Sequence, residues 1–336
     1  MKKVRAKKKL GHVATIIENR KSEKYTSIFD LMKRVDLRAA NKKAFENLVL
    51  AGGLDSLGEV HRAQYFNPDG DGLTFLEKAL RFGAKFQENK NSAQVSLFGE
   101  QVEDTYQDLS IPPCEPWSSL ATLKKEKEVV GIYLSAHPLD AFAHEMRFFA
   151  TAPLQQLNDL HPLLRKELAV GGIVNEVEHL ESRNGKGWAR FILEDFSDQY
   201  EFRIFGEDYL KHRHFLVINQ FIRIRFMVRE GWRDRETGKG GAPRIHFLHF
   251  EMLHNTLENN AKKLTLQLDI HQLEAAGVQK LASQFKSFNG DKPLFFNIYD
   301  PKKKVKLTLF SRKKKVKING ELLSLLEKEQ WSYHIN

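Results

Sequence analysis

The first part of the chain has apolar residues every three or four positions, which predicts three short helices within residues 1–57. Ser27 and Asn41 can each accept a hydrogen bond from the backbone that follows, so we expect them to cap the second and third helices. Gly52 and Gly53 should end the third helix, because glycine adopts the left-handed cap conformation at little cost. A further amphipathic helix is expected over 75–86. These helices predict a compact α-helical module over residues 1–87.

Residues 88–116 break this pattern. They are polar, contain three prolines and have no sustained period, so they predict a linker. Two bulky apolar residues, Leu97 and Phe98, stand in this polar tether just after Gln94, which indicates a linear motif that docks into a partner's pocket. A loop anchored by its own Leu97 and Phe98 is the alternative. A helical connector is expected over 117–167, with a helix over 123–134 that stops before Pro138.

Residues 168–256 show the alternation of apolar and polar positions that is typical of β-strands. Five strands are expected, with a helix over 207–215 between the third and the fourth. This order is typical of an OB-fold barrel. Residues 257–336 predict a small α+β domain with three strands and two helices. The strands of the barrel are expected at 169–177, 188–193, 200–205, 221–228 and 244–251, and those of the last domain at 264–270, 294–299 and 305–310.

Composition narrows the class of protein. The 336 residues, 41% hydrophobic and 29% charged, fit two or three globular domains. The net charge of +10 favours a polyanionic partner, either nucleic acid or an anionic membrane surface. The membrane surface ranks last, because the basic residues lack a helical apolar face. No apolar run reaches the roughly 20 residues of a spanning helix, and the lone Cys114 fits a reducing cytoplasm.

Catalytic motifs are not found in the sequence. There is no Gly-rich phosphate loop, no nucleophile elbow and no zinc-protease histidine pair. His212 with His214, and His246 with His249, come nearest to metal spacing, but no thiolate accompanies them, so surface or strand histidines are the preferred interpretation. We therefore expect no catalytic residues, no metal site and a binding function.

Arginines, lysines and tryptophans follow the predicted barrel strands and the loop before the fifth strand. Proteins that bind single strands need cations for phosphates and exposed aromatic rings on which bases stack. The sequence leaves open whether Trp188 is exposed or belongs to the barrel core, whereas Trp232, in a Gly-rich loop, favours binding. The candidate nucleic-acid-binding residues are Arg183, Lys186, Trp188, Arg190, Arg203, Arg225, Arg229, Trp232, Arg233, Arg235 and Lys239.

Residues 302–317 contain nine lysines and arginines and no acid. The cations alternate with apolar residues, as on the outside of a strand. We expect this run to offer an electrostatic surface to DNA or to an acidic protein partner. A nuclear-localisation signal over 311–317 is the weaker interpretation.

Several blocks of this chain, in the same order, resemble the C-terminal region of the bacterial DNA polymerase III alpha subunit, a C-family replicative polymerase. The resemblance covers nearly the whole chain, and its most specific block is residues 126–139, EKEVVGIYLSAHPL. The other blocks are residues 27–31 (SIFDL), 34–36 (RVD), 41–43 (NKK), 48–55, 61–63 (HRA), 171–174 (GGIV) and 193–195 (LED).

The resemblance implies a role for each part of the chain. Residues 1–87 would be a tandem helix-hairpin-helix module that grips duplex DNA, although Lys7-Lys8-Lys9 replaces the Gly-x-Gly turn of the first hairpin. That hairpin is therefore expected to be incomplete. Gln94, Leu97 and Phe98 would form the sliding-clamp motif. The OB-fold would handle the single-stranded template, and residues 257–336 would contact the tau subunit of the clamp loader.

The resemblance also implies what the chain does not do alone. The palm carboxylates that hold two Mg²⁺ ions in this family precede the matching region, so this chain is expected to hold no cofactor and to be inactive alone as a DNA polymerase. The resulting hypothesis is a multidomain α+β docking module of a replicative polymerase, located in the cytoplasm at the nucleoid. Whether it is a fragment or a naturally split subunit stays open. The alternatives are an independent OB-fold accessory protein that binds single-stranded nucleic acid, and an enzyme with an unrecognised site.

Overall fold

The structure is a computed structural model that describes residues 15–38, 40–58, 60–91, 110–231, 241–271 and 275–336. The chain divides into two compact units, Met1–His137 and Pro138–Asn336. The first unit is helical in its described part, and the second contains two β-sheets with helices. In the described part of the chain, no helix is both long and apolar enough to cross a membrane.

Local capping defines the helices of the first unit. The Ser27 hydroxyl accepts a hydrogen bond from the Asp30 amide at 3.1 Å, and the Asn41 side chain accepts one from the Ala44 amide at 3.0 Å, so both predicted caps are confirmed. Gly52 follows the third helix with φ +79°. The helices are α1 (described over 15–22), α2 (Ile28–Arg34), α3 (Lys42–Leu50), α4 (Phe75–Asn91) and α5 (Ser119–Val130).

Helix α4 packs against α2 and is longer than predicted. A Cβ atom on Gly83 would lie 2.5 Å from the Met32 carbonyl oxygen, so the glycine allows a close approach of the two helices. The Gln87 amide donates to the carbonyls of Met32 at 2.9 Å and Val35 at 2.7 Å. These contacts hold the C-terminal half of α4 against α2, and the helix continues to Asn91, beyond the expected start of the linker at Glu88.

The end of the predicted linker packs against residues 61–67 of the same unit. The Gln64 amide donates to the Pro112 carbonyl at 3.2 Å, and the ring of Trp117 stacks on Phe66 at 5.6 Å. Helix α5 stops at Val130 because Gly131 adopts φ +90°, so the predicted end at residue 134 was wrong.

The first sheet of the second unit has five antiparallel strands in the order β3-β2-β1-β4-β5. Helix α7 (Gly206–His212) lies between β3 and β4 in the chain, as predicted. No strand pairing among the described residues joins β3 to β5, so the predicted closed barrel is not confirmed. The strands are β1 (Glu167–Glu181), β2 (Gly187–Glu194), β3 (Gln199–Phe205), β4 (Phe221–Arg229) and β5 (Arg244–Met252).

The second sheet has the order β8-β7-β6-β9, with β6 and β7 parallel and the other pairs antiparallel. Strand β9 and helix α8 were not predicted, and β8 extends six residues beyond the predicted end at Phe310. The strands are β6 (Leu264–Asp269), β7 (Asn289–Asp300), β8 (Val305–Val316) and β9 (Ser332–Ile335). The helices of the second unit besides α7 are α6 (Ala143–Phe149), α8 (Leu253–Asn260), α9 (Ala275–Ser287) and α10 (Gly320–Lys328).

Candidate nucleic-acid interface

Trp188 lies on the solvent face of the first sheet. Its strand buries Ala189, Phe191 and Leu193 in the core, so the alternation of the strand turns Trp188 to the opposite face. The Trp188 ring stacks on Phe205 of β3, with ring centroids 5.2 Å apart and planes 19° from parallel. Phe205 is 57% exposed. Trp188 itself is half-buried, so the pair is an aromatic stack that reaches solvent mainly through Phe205.

Phe205 was not among the predicted site residues, although the sequence contained a signal for it. Phe202 and Ile204 are buried while Arg203 is exposed. The same alternation places Phe205 on the outer face, where the register pairs it with Trp188. An aromatic residue at an outward position, opposite a tryptophan, is the pattern that could have identified it.

The turn between β1 and β2 carries two exposed cations, Arg183 and Lys186. The Lys186 amide donates to the Ser182 hydroxyl at 3.1 Å, and Gly185 has φ +69°, which closes a tight turn. Neither cation forms an ion pair with a carboxylate of the described residues. Because Trp188 follows Lys186 by two residues, Lys186 lies close to the aromatic pair, and Arg183 lies in the same turn.

Three other predicted arginines are held by carboxylates of the same sheet. Glu201 lies between Arg190 and Arg203. The hydrogen bond from Arg203, and to a smaller extent the one from Arg190, lowers the pKa of its carboxyl. These side chains are therefore less available to phosphates than those of the turn. The ion pairs are Arg190–Glu178 at 2.9 Å, Arg190–Glu201 at 3.0 Å, Arg203–Glu201 at 2.7 Å and Arg225–Glu167.

The remaining predicted residues divide into one described cation and two groups outside the described residues. Arg229 is exposed at the end of β4. The first group outside the described residues belongs to the loop before β5 and contains Trp232, Arg233, Arg235 and Lys239. The second group is the linker motif with Gln94, Leu97 and Phe98.

The structure also places the histidines that came nearest to metal spacing. His212 is buried and stacks on Phe250 at 4.4 Å, and burial lowers the pKa of its imidazole. Over the described ranges, no three His, Cys, Asp or Glu side chains come together in a way that could hold a metal ion. His212 therefore has a core position.

Two family models match the chain. The model for "DNA polymerase III alpha subunit, C-terminal domain" matches residues 264–336, and the model for "Helix-hairpin-helix motif" matches residues 7–65. The second match supports the helix-hairpin-helix assignment of the N-terminal module.

Curated relatives match over longer stretches. The DNA polymerase III subunit alpha of Thermus aquaticus is 28% identical over 335 residues, which is 98% of this chain and 25% of the relative. The subunit of Borreliella burgdorferi is 30% identical over 223 residues, which is 65% of this chain and 19% of the relative. The chain thus spans about a quarter or less of the length of these relatives.

Solved structures are much less similar. A putative aspartyl-tRNA synthetase from Leishmania major reaches a TM-score of 0.22 at 13% identity, covering 31% of this chain and 21% of that one. A small single-stranded DNA-binding protein from Streptomyces coelicolor reaches 0.16 at 14% identity, covering 26% and 94%. These TM-scores are too low to indicate a shared fold, so the similarity of this chain to known proteins is one of sequence. The family models and the relatives together identify this chain as a relative of the C-terminal region of the bacterial DNA polymerase III alpha subunit.

Proposed function

We propose that this chain is the part of a replicative DNA polymerase alpha subunit that holds DNA and docks the enzyme on its partners. In this proposal the first sheet binds the single-stranded template and the helical unit binds duplex DNA. The segment with Gln94, Leu97 and Phe98 binds the sliding clamp, and residues 257–336 contact the tau subunit of the clamp loader. The observation that carries the DNA-binding role is the stack of half-buried Trp188 on exposed Phe205 at the outer face of the first sheet.

The aromatic pair suits a single strand because every base has a flat face that can stack on it. Stacking of one base on an aromatic side chain contributes roughly 1–3 kcal/mol and requires no particular sequence. Arg183 and Lys186 can contact the phosphates that flank a stacked base. The order of strands and the helix between β3 and β4 agree with an OB-fold. Phe202 and Phe247, 6.1 Å apart between β3 and β5, would close the barrel through side chains.

The helical unit has the charge expected of a duplex-binding module. Residues 1–87 have 18 lysines and arginines and ten acidic residues, a net charge of +8. Binding to the DNA backbone is mainly electrostatic, since each contacted phosphate releases bound counterions. The helix-hairpin-helix match over residues 7–65 supports the same role.

The DNA-binding role can be tested by titrating the chain into a labelled oligothymidine and following fluorescence anisotropy. We expect Trp188→Ala and Phe205→Ala each to weaken binding by roughly 5- to 150-fold, the equivalent of one stacked base. Trp188→Phe should retain most of the affinity. Phe196→Ala is the matched control, because Phe196 is a 51% exposed aromatic residue in the turn between β2 and β3. Equal affinity of Trp188→Ala and Phe196→Ala would contradict the stacking surface.

The docking role can be tested with the sliding clamp of the same organism. We expect micromolar binding, about −8 kcal/mol, that disappears in the double variant Leu97→Ala/Phe98→Ala. Equal clamp binding by the wild-type chain and the double variant would place the contact elsewhere on the chain. Absence of clamp binding by the unmodified chain, together with retained DNA binding, would favour the alternative, an independent accessory protein that binds single strands.

The proposal also assigns no polymerisation chemistry to the isolated chain. A nucleotide-incorporation assay on a primed template should therefore give no product, with or without Mg²⁺. Magnesium-dependent extension by the purified chain would overturn this part of the proposal. In the cell, the proposed location is the cytoplasm at the nucleoid.

A further inference from the structure

Strand β8 is an edge of the second sheet, and three large aliphatic side chains on it are exposed. Val305, Leu307 and Leu309 are 59%, 54% and 42% exposed. They alternate along the strand and therefore face the same side of the sheet. An edge strand of 12 residues with such a row is a template on which another strand can pair.

The exposed row continues the buried core of the domain. The register places Leu309 beside Phe296 of β7, which in turn lies beside the buried Leu266 of β6. Leu307 lies beside Ile298 in the same way. The apolar face that is covered at the centre of the sheet is thus uncovered at β8, and a further strand would extend the sheet and cover it.

The positive charge around β8 indicates that a strand added to this edge would be negatively charged. Residues 302–317 carry nine cations and no acid, and none of the nine forms an ion pair with a carboxylate of the described residues. Lysines on an edge prevent pairing with a second copy of the same edge, since the two would repel each other. The same lysines attract a segment that carries carboxylates.

The chemistry of the row favours protein over nucleic acid. Bases stack on aromatic rings, and the exposed ring of β8, Phe310, lies on the opposite face with its centroid 5.1 Å from that of Phe295. Val305, Leu307 and Leu309 are aliphatic and match the apolar side chains of an extended peptide. Such a peptide also satisfies the backbone groups that an edge strand leaves unpaired. An alternation of apolar and acidic residues would cover the row and place carboxylates near the lysines.

We propose that β8 is the docking edge for an extended acidic segment of a partner protein, which adds a strand to the second sheet beside Val305, Leu307 and Leu309. The inference rests on the proposed role of residues 257–336 as a domain that contacts a partner protein, and it names the surface and the chemistry of the contact.

The experiment uses the full chain and a labelled peptide as long as β8, in which valine and glutamate alternate. The control peptide has the same composition with the valines and glutamates in two blocks. We expect the alternating peptide to bind and to slow amide hydrogen exchange along β8. Leu307→Glu should weaken binding by about tenfold or more, because it interrupts the aliphatic row and repels the peptide.

Two further variants complete the test. Lys306→Glu should also weaken binding, although it leaves the aliphatic row intact. Leu210→Glu is the matched control, since Leu210 is 62% exposed on α7 beside the other sheet, and it should bind the peptide like the wild type.

The inference is wrong if both peptides bind equally, if neither binds, or if Leu307→Glu binds like Leu210→Glu. Protection of β8 by oligothymidine and not by the peptide would make the edge a nucleic-acid surface instead. Trp188→Ala should bind the peptide normally. Failure of DNA binding by the first sheet is therefore distinguishable from failure of docking at β8.

Discussion

Glu126 is a buried carboxylate that we predict to hold the turn after α5 in place. It is 1% exposed, and it accepts hydrogen bonds from the amides of Leu134 and Ser135, both at 3.1 Å, and from the Ser135 hydroxyl at 2.6 Å. The guanidinium of Arg62 lies 3.9 Å away. Replacing Glu126 should therefore destabilise the first unit and loosen residues 131–135.

The size of the effect follows from the three donors that lose their acceptor. A hydrogen bond to a charged group contributes about 1.5–3 kcal/mol, but water can reach Leu134 and Ser135 because both residues are exposed. We expect a loss of about 3 kcal/mol for Glu126→Ala. Glu126→Gln should cost about 1 kcal/mol, because its amide oxygen can keep both backbone donors. Glu128→Ala, an exposed position on the same helix, should stay within about 0.5 kcal/mol of the wild type.

The contribution of Glu126 should depend on pH. Burial alone would raise the pKa of the Glu126 carboxyl, but hydrogen bonds from Ser135 and Leu134 and the charge of Arg62 hold it below its ordinary value. A folded-state pKa below the unfolded one stabilises the protein above the unfolded value, and this stabilisation is lost as the pH falls through the folded value. The stability gap between wild type and Glu126→Gln should therefore shrink in acid.

The assay is urea unfolding followed by amide hydrogen exchange, which separates peptides of the first unit from those of the second. It is run at neutral pH and again below the ordinary pKa of glutamate. If Glu126→Ala is as stable as Glu128→Ala, the carboxylate does not anchor the turn. A gap between wild type and Glu126→Gln that is the same at both pH values would refute the linkage argument.

Two further predictions concern close packing. Gly83→Ala should lower stability by about 1–3 kcal/mol in thermal unfolding, because the new Cβ would lie 2.5 Å from the Met32 carbonyl oxygen, whereas Gly70→Ala, with nothing within 4 Å, should not. Arg223→Met should cost about 3–5 kcal/mol in urea unfolding, because it leaves buried Glu251 without the guanidinium 2.6 Å away. A double Arg223→Met/Glu251→Met variant should recover part of that loss, and no recovery would argue against an unpaired buried charge as the cause.

The features that the sequence predicted well depend on neighbouring residues. Ser27 and Asn41 cap helices through bonds to residues three positions later, so the pattern for each cap lies within one turn. The end of α5 at Gly131 could have been predicted in the same way. The expected end at residue 134 was based on Pro138 instead, and Ile132 and Leu134, beyond the glycine, are 60% and 56% exposed.

The features that the sequence did not predict depend on distant residues. Strand β9 forms because residues 332–335 pair with β6, nearly seventy positions earlier. The length of α4 reflects the bonds of Gln87 to carbonyls of α2 more than fifty positions away. In the same way, Arg190 and Arg203 look like phosphate ligands in the sequence, and only the register shows that carboxylates lie beside them.

The net charge of +10 is unevenly distributed along the chain. Residues 168–256, which contain all but the first residue of the sheet that carries the aromatic pair, hold thirteen cations and thirteen acids and so have no net charge. The excess of positive charge lies instead at residues 1–87 and 302–317. Binding of a single strand to the first sheet should therefore depend mainly on stacking at Trp188 and Phe205, with counterion release limited to the few phosphates that Arg183 and Lys186 can contact. If the proposed partners are right, electrostatic attraction to duplex DNA or to an acidic protein should come from residues 1–87 and 302–317.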